Sequence, residues 1–410
     1  MPSRSSILIR KKESIDAVTI ALPSSKSESN RALIIQAFAG GELLNLAEAR
    51  DTQTMMRLLK SEQKELNVLD AGTTMRFLAA YCALTGKNKI LTGTPRMCQR
   101  PIGILVDALR EIGAEIEYLD YDGYPPLETV GFLHQKKREI SMRGDISSQY
   151  ISAIMMVAPT LPHGLTIHLQ GKVASLPYLQ MTMELMLQFG AQVRFETEHT
   201  IIVDPSPYQP TTFAVESDWS GASYWFAFVA LSQRAEVVLT GLKPNSLQGD
   251  HKIMEIMHQL GVRSEFSSIG LKLSRQGAAG NFSYDFSPCP DLAQTVVVVC
   301  AAKGIRATFT GLESLRIKET DRILALQQEL AKIGAGLEER EGKWTVIPAP
   351  DVTTNKPHVS IDTYDDHRMA MAFAPLATLT DISIHNHMVV EKSYPSFWDH
   401  MRQAGFEVEG

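Results

Sequence analysis

Lysine and arginine cluster at the starts of predicted helices in this sequence, where they are electrostatically out of place. Lys318-Glu319-Thr320-Asp321-Arg322 opens one such helix, Arg100-Pro101 a second, and Lys392-Ser393-Tyr394-Pro395 a third. Other starts read Lys26-Ser27-Glu28-Ser29-Asn30-Arg31, Gly72-Thr73-Thr74-Met75-Arg76, Ser147-Ser148-Gln149 and Asp365-Asp366-His367-Arg368. A helix N-terminus already carries unsatisfied N–H groups and the positive end of the dipole, so cations there raise the potential further unless an anion is held. Taken singly, each segment also reads as an ordinary N-cap or a solvated first turn with internal ion pairs. The recurrence of cations at equivalent places favours a site for a polyanion. Two carboxylates, Asp291 and Glu319, stand within this set, where neighbouring charges tune a carboxyl for acid–base work near neutrality. His367 reads equally as part of a capped start or as a catalytic histidine. His385-Asn386-His387 lacks the spacing of a metal-ligand motif, and neither a G-x-S-x-G elbow nor a phosphate loop occurs.

The elements that position these residues repeat. Apolar residues stand four and one before a glycine at Leu109, Ile112 and Gly113; Met186, Phe189 and Gly190; Met257, Leu260 and Gly261; Leu330, Ile333 and Gly334; and Met401, Ala404 and Gly405. The glycines are 77, 71, 73 and 71 residues apart. Each ends a helical pattern and leads into an alternating one, so each is predicted as a C′ residue before a strand. A second, nearly all-apolar helix type starts near Ser27, Gly72, Ser147, Ser220, Asp291 and Asp366, at intervals of 45, 75, 73, 71 and 75. The pattern predicts six copies of an α/β unit with two helices and several strands. The first copy is short, its Gly-ended helix and following strand missing between Leu58 and Asp70. The Pro-rich stretch 204–210 (DPSPYQP) is the predicted linker.

At 410 residues, 44% hydrophobic and 21% charged, the chain has globular composition and exceeds a single core, predicting two or three domains. A net charge of -6 provides no global basic field for nucleic acid or acidic membrane. Cys82, Cys98, Cys289 and Cys300 form no C-x-x-C pair, and the longest aliphatic run, Val296 to Ala302, is too short to span a bilayer. With no secretory signal, the expectation is a cytoplasmic protein with reduced thiols.

Motifs along nearly the whole chain resemble the enolpyruvyl transferases, most closely the branch acting on shikimate 3-phosphate. They are SKSESNRAL (25–33), AGTTMR (71–76), LTGTPRMCQRPIG (91–103), GDISSQY (144–150), SLPY (175–178), DWSGASY (218–224), Pro290-Asp291, RIKETDR (316–322), YDDHRMAM (364–371) and EKSYPSF (391–397). The resemblance implies a two-domain inside-out α/β barrel of six βαβαββ-type repeats, with domain one at 21–214 and domain two at 1–20 plus 215–410. It implies transfer of the enolpyruvyl group of phosphoenolpyruvate to the 5-hydroxyl of shikimate 3-phosphate, releasing phosphate, as a step toward chorismate and the aromatic amino acids. Implied too are a monomer and the absence of any metal or organic cofactor. By motif position, Lys26, Gly72, Arg100, Gln149, Arg322, Arg368 and Lys392 hold phosphoenolpyruvate. Ser27, Arg31, Ser147, Ser148, Ser175, Tyr178, Asp291, Ser314 and Lys318 hold shikimate 3-phosphate. Asp291 acts as base, while Lys26, Glu319 and Lys392 manage protons at the methylene carbon and leaving phosphate. The rivals are the sister activity on UDP-N-acetylglucosamine, disfavoured because Cys98 lies only two residues before Arg100, and an inactive phospho-ligand binder on the same fold. The chain departs from the family pattern at Ser24 for Gly, Asp70 for Asn, Phe77 for Pro, Leu176 for Lys and Ser314 for Asn. Asp70 places an unexpected acid beside the implied phosphoenolpyruvate site.

Overall fold

The computed structural model describes residues 5–145, 147–173, 175–278, 280–348 and 357–410. Ile146, within the GDISSQY motif, lies outside the described residues. The chain divides into two compact units, one formed by Ser25–Val215 and the other by Met1–Ser24 with Glu216–Gly410.

In the central unit, the helices are α1 (Lys26–Ala39), α2 (Arg50–Leu59), α3 (Gly72–Leu84), α4 (Pro95–Cys98), α5 (Gly103–Ile112), α6 (Ser148–Val157) and α7 (Leu176–Gln188). Two four-stranded sheets share one plan. In the first, Glu65–Asn67 pairs parallel to Lys89–Thr92 across α3, and the hairpin Ala114–Tyr118 and Leu127–Phe132 completes the sheet after α5. In the second, Glu139–Arg143 and Leu165–Gln170 are parallel across α6, with Val193–Thr197 and Thr200–Val203 following α7. A parallel pair needs a crossover, and a helix supplies it. The third sheet has two strands, Gly41–Leu44 and Thr211–Ala214.

That small sheet corrects the predicted truncation. The second helix of the first repeat is present as α2, ending at Lys60 without a glycine. What is missing is the hairpin after it, because Glu65–Asn67 already belongs to the next sheet. The predicted linker is corrected as well. Residues 204–210 lie inside the central unit, where buried Tyr208 donates to the Met156 carbonyl at 2.8 Å, and the chain leaves the unit only after Val215.

The other unit contains α8 (Trp219–Leu231), α9 (Ile253–Gln259), α10 (Ala293–Ala302), α11 (Arg322–Lys332), α12 (His367–Phe373) and α13 (Phe397–Gln403). Among the described residues its three sheets are four-stranded, and two of them use N-terminal strands. Ser14–Ala21 lies parallel to Arg234–Thr240, and Ser6–Ile9 lies between Asp381–His385 and Val408–Glu409. The third, built on Asn281–Asp285 and Arg306–Thr310, is local in sequence.

The apolar helices α8, α10 and α12 run through this core, where Val296 to Val299 are fully buried. Each such valine contributes about 1.5 to 3 kcal/mol relative to exposure. The five repeat glycines all adopt positive φ, from 79° at Gly334 to 128° at Gly113, where a Cβ would lie 2.4 Å from the His134 carbonyl oxygen. All five therefore favour glycine for conformation, and Gly113 for space as well.

Candidate functional site

In each unit, several of the predicted residues come together. In the central unit, α1 begins at Lys26 because Ser25 caps it, its hydroxyl accepting the Glu28 N–H at 3.3 Å. The Lys26 ammonium lies 3.1 Å from the buried Asp51 carboxylate on α2. Gly72 opens α3, and the guanidinium groups of Arg76 and Arg100 close over its Cα. A Cβ there would come within 2.6 Å of Arg76 Nη1 and 2.7 Å of Arg100 Nη1. Arg76 donates to the Gly72 carbonyl at 2.8 Å and lies over the Tyr150 ring. Ser147 caps α6, Ser148 is buried in its first turn, and the Gln149 amide donates to Thr73 Oγ1 at 3.1 Å. Ser175, at φ 56°, precedes α7 in the left-handed region, a backbone state uncommon outside glycine.

Arg31 is placed differently from the other cations. Its guanidinium is buried between helices, donating to Thr182 Oγ1 at 2.7 Å and to the Ser27 carbonyl at 2.9 Å, with the Phe77 and Tyr178 rings 5.4 and 5.6 Å away. Burial lowers its pKa to about 10. Phe77, one of the family departures, thus supplies an aromatic face to Arg31. The unexpected Asp70 is answered by another side chain, since Arg50 Nη2 lies 3.1 Å from both of its carboxylate oxygens.

In the other unit, Arg322 is the centre. It is the first residue of α11, which Asp321 caps through the Leu324 N–H. Its Nε donates to Asp366 at 2.7 Å, Nη1 to Asp291 at 3.1 Å and Nη2 to Glu319 at 2.9 Å. Asp366 is fully buried and also caps α12, accepting the Arg368 N–H. Arg368 returns to Asp291 at 2.9 Å, and Lys318 Nζ is 3.9 Å from the same carboxylate. Lys392 is buried at the end of the 3₁₀ turn His387–Lys392. Tyr394, two residues on, anchors that turn by accepting from Trp225 Nε1 at 3.0 Å. Ser314 lies half-buried on the 3₁₀ turn Glu313–Ile317.

Burial alone would raise the Asp291 carboxyl, but Arg368, Lys318 and Arg322 outweigh it and hold it far below the usual carboxylate range. The sequence expectation of a carboxyl poised near neutrality is therefore corrected: cations this close hold Asp291 as an anion. Lys318 moves down, chiefly through burial. The predicted excess of positive charge is also corrected here, because three carboxylates face Arg322, Arg368 and Lys318. Sequence reasoning gave no functional role to Asp366, Arg76 or Ser220, although each stands in a helix start already singled out, and it missed Asp51 and Asp250 altogether. His367 is buried beside Asp366, its Nδ1 3.7 Å from the carboxylate.

A family model for EPSP synthase (3-phosphoshikimate 1-carboxyvinyltransferase) matches residues 59–401. The chain is 47% identical over 395 residues to the 3-phosphoshikimate 1-carboxyvinyltransferase of Bacteroides fragilis (strain YCH46), covering 95% of this chain and 96% of that protein. It is 38% identical over 414 residues to the enzyme of the same name from Sulfurovum sp. (strain NBC37-1), covering 93% and 95%. Among solved structures, an EPSP synthase from Acinetobacter baumannii matches with a TM-score of 0.80 at 20% identity, covering 99% of this chain and 100% of that one, so the fold is shared. The chain belongs to the EPSP synthase (3-phosphoshikimate 1-carboxyvinyltransferase) family.

Proposed function

We propose that this chain transfers the enolpyruvyl group of phosphoenolpyruvate to the 5-hydroxyl of shikimate 3-phosphate, giving 5-enolpyruvylshikimate 3-phosphate and phosphate. The observation that carries the reading is Asp291 held between Arg322 and Arg368, a base and two anion-binding groups in one cluster. Phosphoenolpyruvate is assigned to Lys26, Gly72, Arg100, Gln149, Arg322, Arg368 and Lys392. Shikimate 3-phosphate is assigned to Ser27, Arg31, Ser147, Ser148, Ser175, Tyr178, Ser314, Lys318 and Asp291. Both substrates are polyanions that repel until neutralised, so positioning them is a large part of the catalytic task.

Asp291 is a weak base while both arginines hold it. An incoming carboxylate or phosphate that takes Arg322 and Arg368 removes two favourable charges and raises its proton affinity. The 5-hydroxyl then gives its proton to Asp291 as its oxygen bonds to C2. A proton from one of the assigned residues Lys26, Glu319 and Lys392 reaches the methylene carbon, which makes C2 electrophilic. A methyl proton returns to these residues, re-forming the double bond as the C2–O bond to phosphate breaks; they then protonate the leaving phosphate, and Asp291 releases its proton to restore the starting state. Cations held in place stabilise the charge that develops on the leaving group.

The proposal includes a cytoplasmic monomer that uses no metal or organic cofactor. The unbridged cysteines Cys82, Cys98, Cys289 and Cys300 support a reducing compartment. Among the described residues no helix is long and apolar enough to cross a membrane. Phosphate release from phosphoenolpyruvate, measured with shikimate 3-phosphate and then with UDP-N-acetylglucosamine, tests the function. Release with the first alone is expected. Release only with the nucleotide sugar, or with neither, overturns it.

A further inference from the structure

Beyond the residues assigned above, one more carboxyl is tied into the Asp291 cluster. Asp250 lies on the 3₁₀ turn Gly249–Lys252 before α9 and is 3% exposed. Its Oδ2 accepts the Ser220 hydroxyl, while Oδ1 is buried without a hydrogen-bond partner among the described residues. Ser220 Oγ stands 3.4 Å from Arg368 Nη2, the same nitrogen that is 2.9 Å from Asp291. A guanidinium only donates and a serine hydroxyl has one hydrogen. With Asp250 ionised, the order is therefore fixed: Arg368 donates to Ser220, and Ser220 donates to Asp250.

We infer that Asp250 is a positioning residue which, through Ser220, competes with Asp291 for Arg368 and so sets how firmly Asp291 is held as an anion. This inference rests on the reading of Asp291 as the base. The charged and titratable groups around Asp250 are Asp291, Arg368, Asp218 and Cys289. Burial pushes the Asp250 carboxyl up to about 7, Asp291 and Asp218 push the same way, and Arg368 and the Ser220 hydrogen bond oppose them. Protonated Asp250 no longer draws on Ser220 as an anion, and Arg368 is left to Asp291. Ionised Asp250 shares Arg368 and adds a like charge near Asp291, so Asp291 becomes the stronger base. Turnover accordingly rises as pH increases through neutrality.

The test uses the full chain and steady-state phosphate release with both substrates from about pH 5 to 9. Asp250→Asn keeps the shape and an acceptor but not the charge. It is expected to lower kcat about tenfold on the alkaline side, flatten the rise through neutrality, and leave KM for phosphoenolpyruvate unchanged or lower. Ser220→Ala cuts the connection while leaving the Asp250 charge, and is expected to give a smaller loss of the same form. Wild-type kcat and pH profile in both variants overturn the inference. So does a parallel change in kcat and both KM values with an unchanged profile, the mark of a merely structural role. Thermal unfolding shows that each variant is folded, and Ser220→Ala decides the matter if Asp250→Asn is not. Asp291→Asn run alongside keeps the two readings apart: full turnover in that variant removes the base assignment itself.

Discussion

The two clusters hold their buried arginines by different means, while Lys26 in the central unit pairs with a carboxylate, Asp51. Around Arg322, every guanidinium nitrogen meets a carboxylate: Asp366, Asp291 and Glu319. In the central unit, Arg31 and Arg76 are instead held by hydroxyls, backbone carbonyls and aromatic faces. A buried ion pair fixes geometry at a high desolvation cost and makes each partner depend on the other. Neutral partners fix geometry while leaving more of the positive field for a ligand. Under the proposed function, the Arg322 cluster would exchange one anion for another and the Gly72 cluster would receive one.

The largest expected effect breaks the exchange. Asp291→Ala is expected to lower kcat by about 10² to 10⁴-fold while retaining shikimate 3-phosphate binding, measured by single-turnover kinetics and titration calorimetry. Unchanged turnover would reject the base role. Arg322→Ala leaves Asp366 buried with its strongest partner gone, and loss of such a partner costs about 3 to 5 kcal/mol of stability, read from denaturant midpoints. A loss below about 1 kcal/mol would mean that the carboxylates do not depend on this arginine.

Smaller effects sharpen the contrast from the receiving side. Arg100→Ala is expected to raise KM for phosphoenolpyruvate more than KM for shikimate 3-phosphate. Gly72→Ala should do the same without removing a charge, because its methyl group displaces both guanidiniums. Equal effects on both substrates would misplace this cluster. The smallest effect concerns pH and stability. The folded-state carboxyl of Asp250 sits above its unfolded value, so the native state binds more protons between about pH 4 and 7. Stability falls as pH rises through that window, and Asp250→Asn should flatten the slope in thermal melts taken across it.

Much of this arrangement was readable along the chain. Gly113, Gly190, Gly261, Gly334 and Gly405 all take the positive φ that their pattern predicts, and the apolar helices begin at or within two residues of the predicted starts. Periodicity reports local constraints of this kind well, because each is settled by neighbouring residues. The linker reading failed because proline clusters punctuate a chain without marking where a unit ends, and Tyr208 anchors that stretch to α6. The end of α2 escaped because Lys60 closes it where the other repeats have glycine. Asp70 read as an anomaly since its partner, Arg50, is twenty residues away on another element.

Sequence by itself determined which side chains carry charge, where helices start and stop, and that one repeat is short, since these follow from residue type and spacing. Tertiary structure alone decided which acids meet which bases. Asp291, Arg322, Asp366 and Arg368 are brought together from three helix starts up to 77 residues apart, and Asp250 joins them through Ser220. Coulomb energy depends on distance and burial, and neither is fixed by position along the chain.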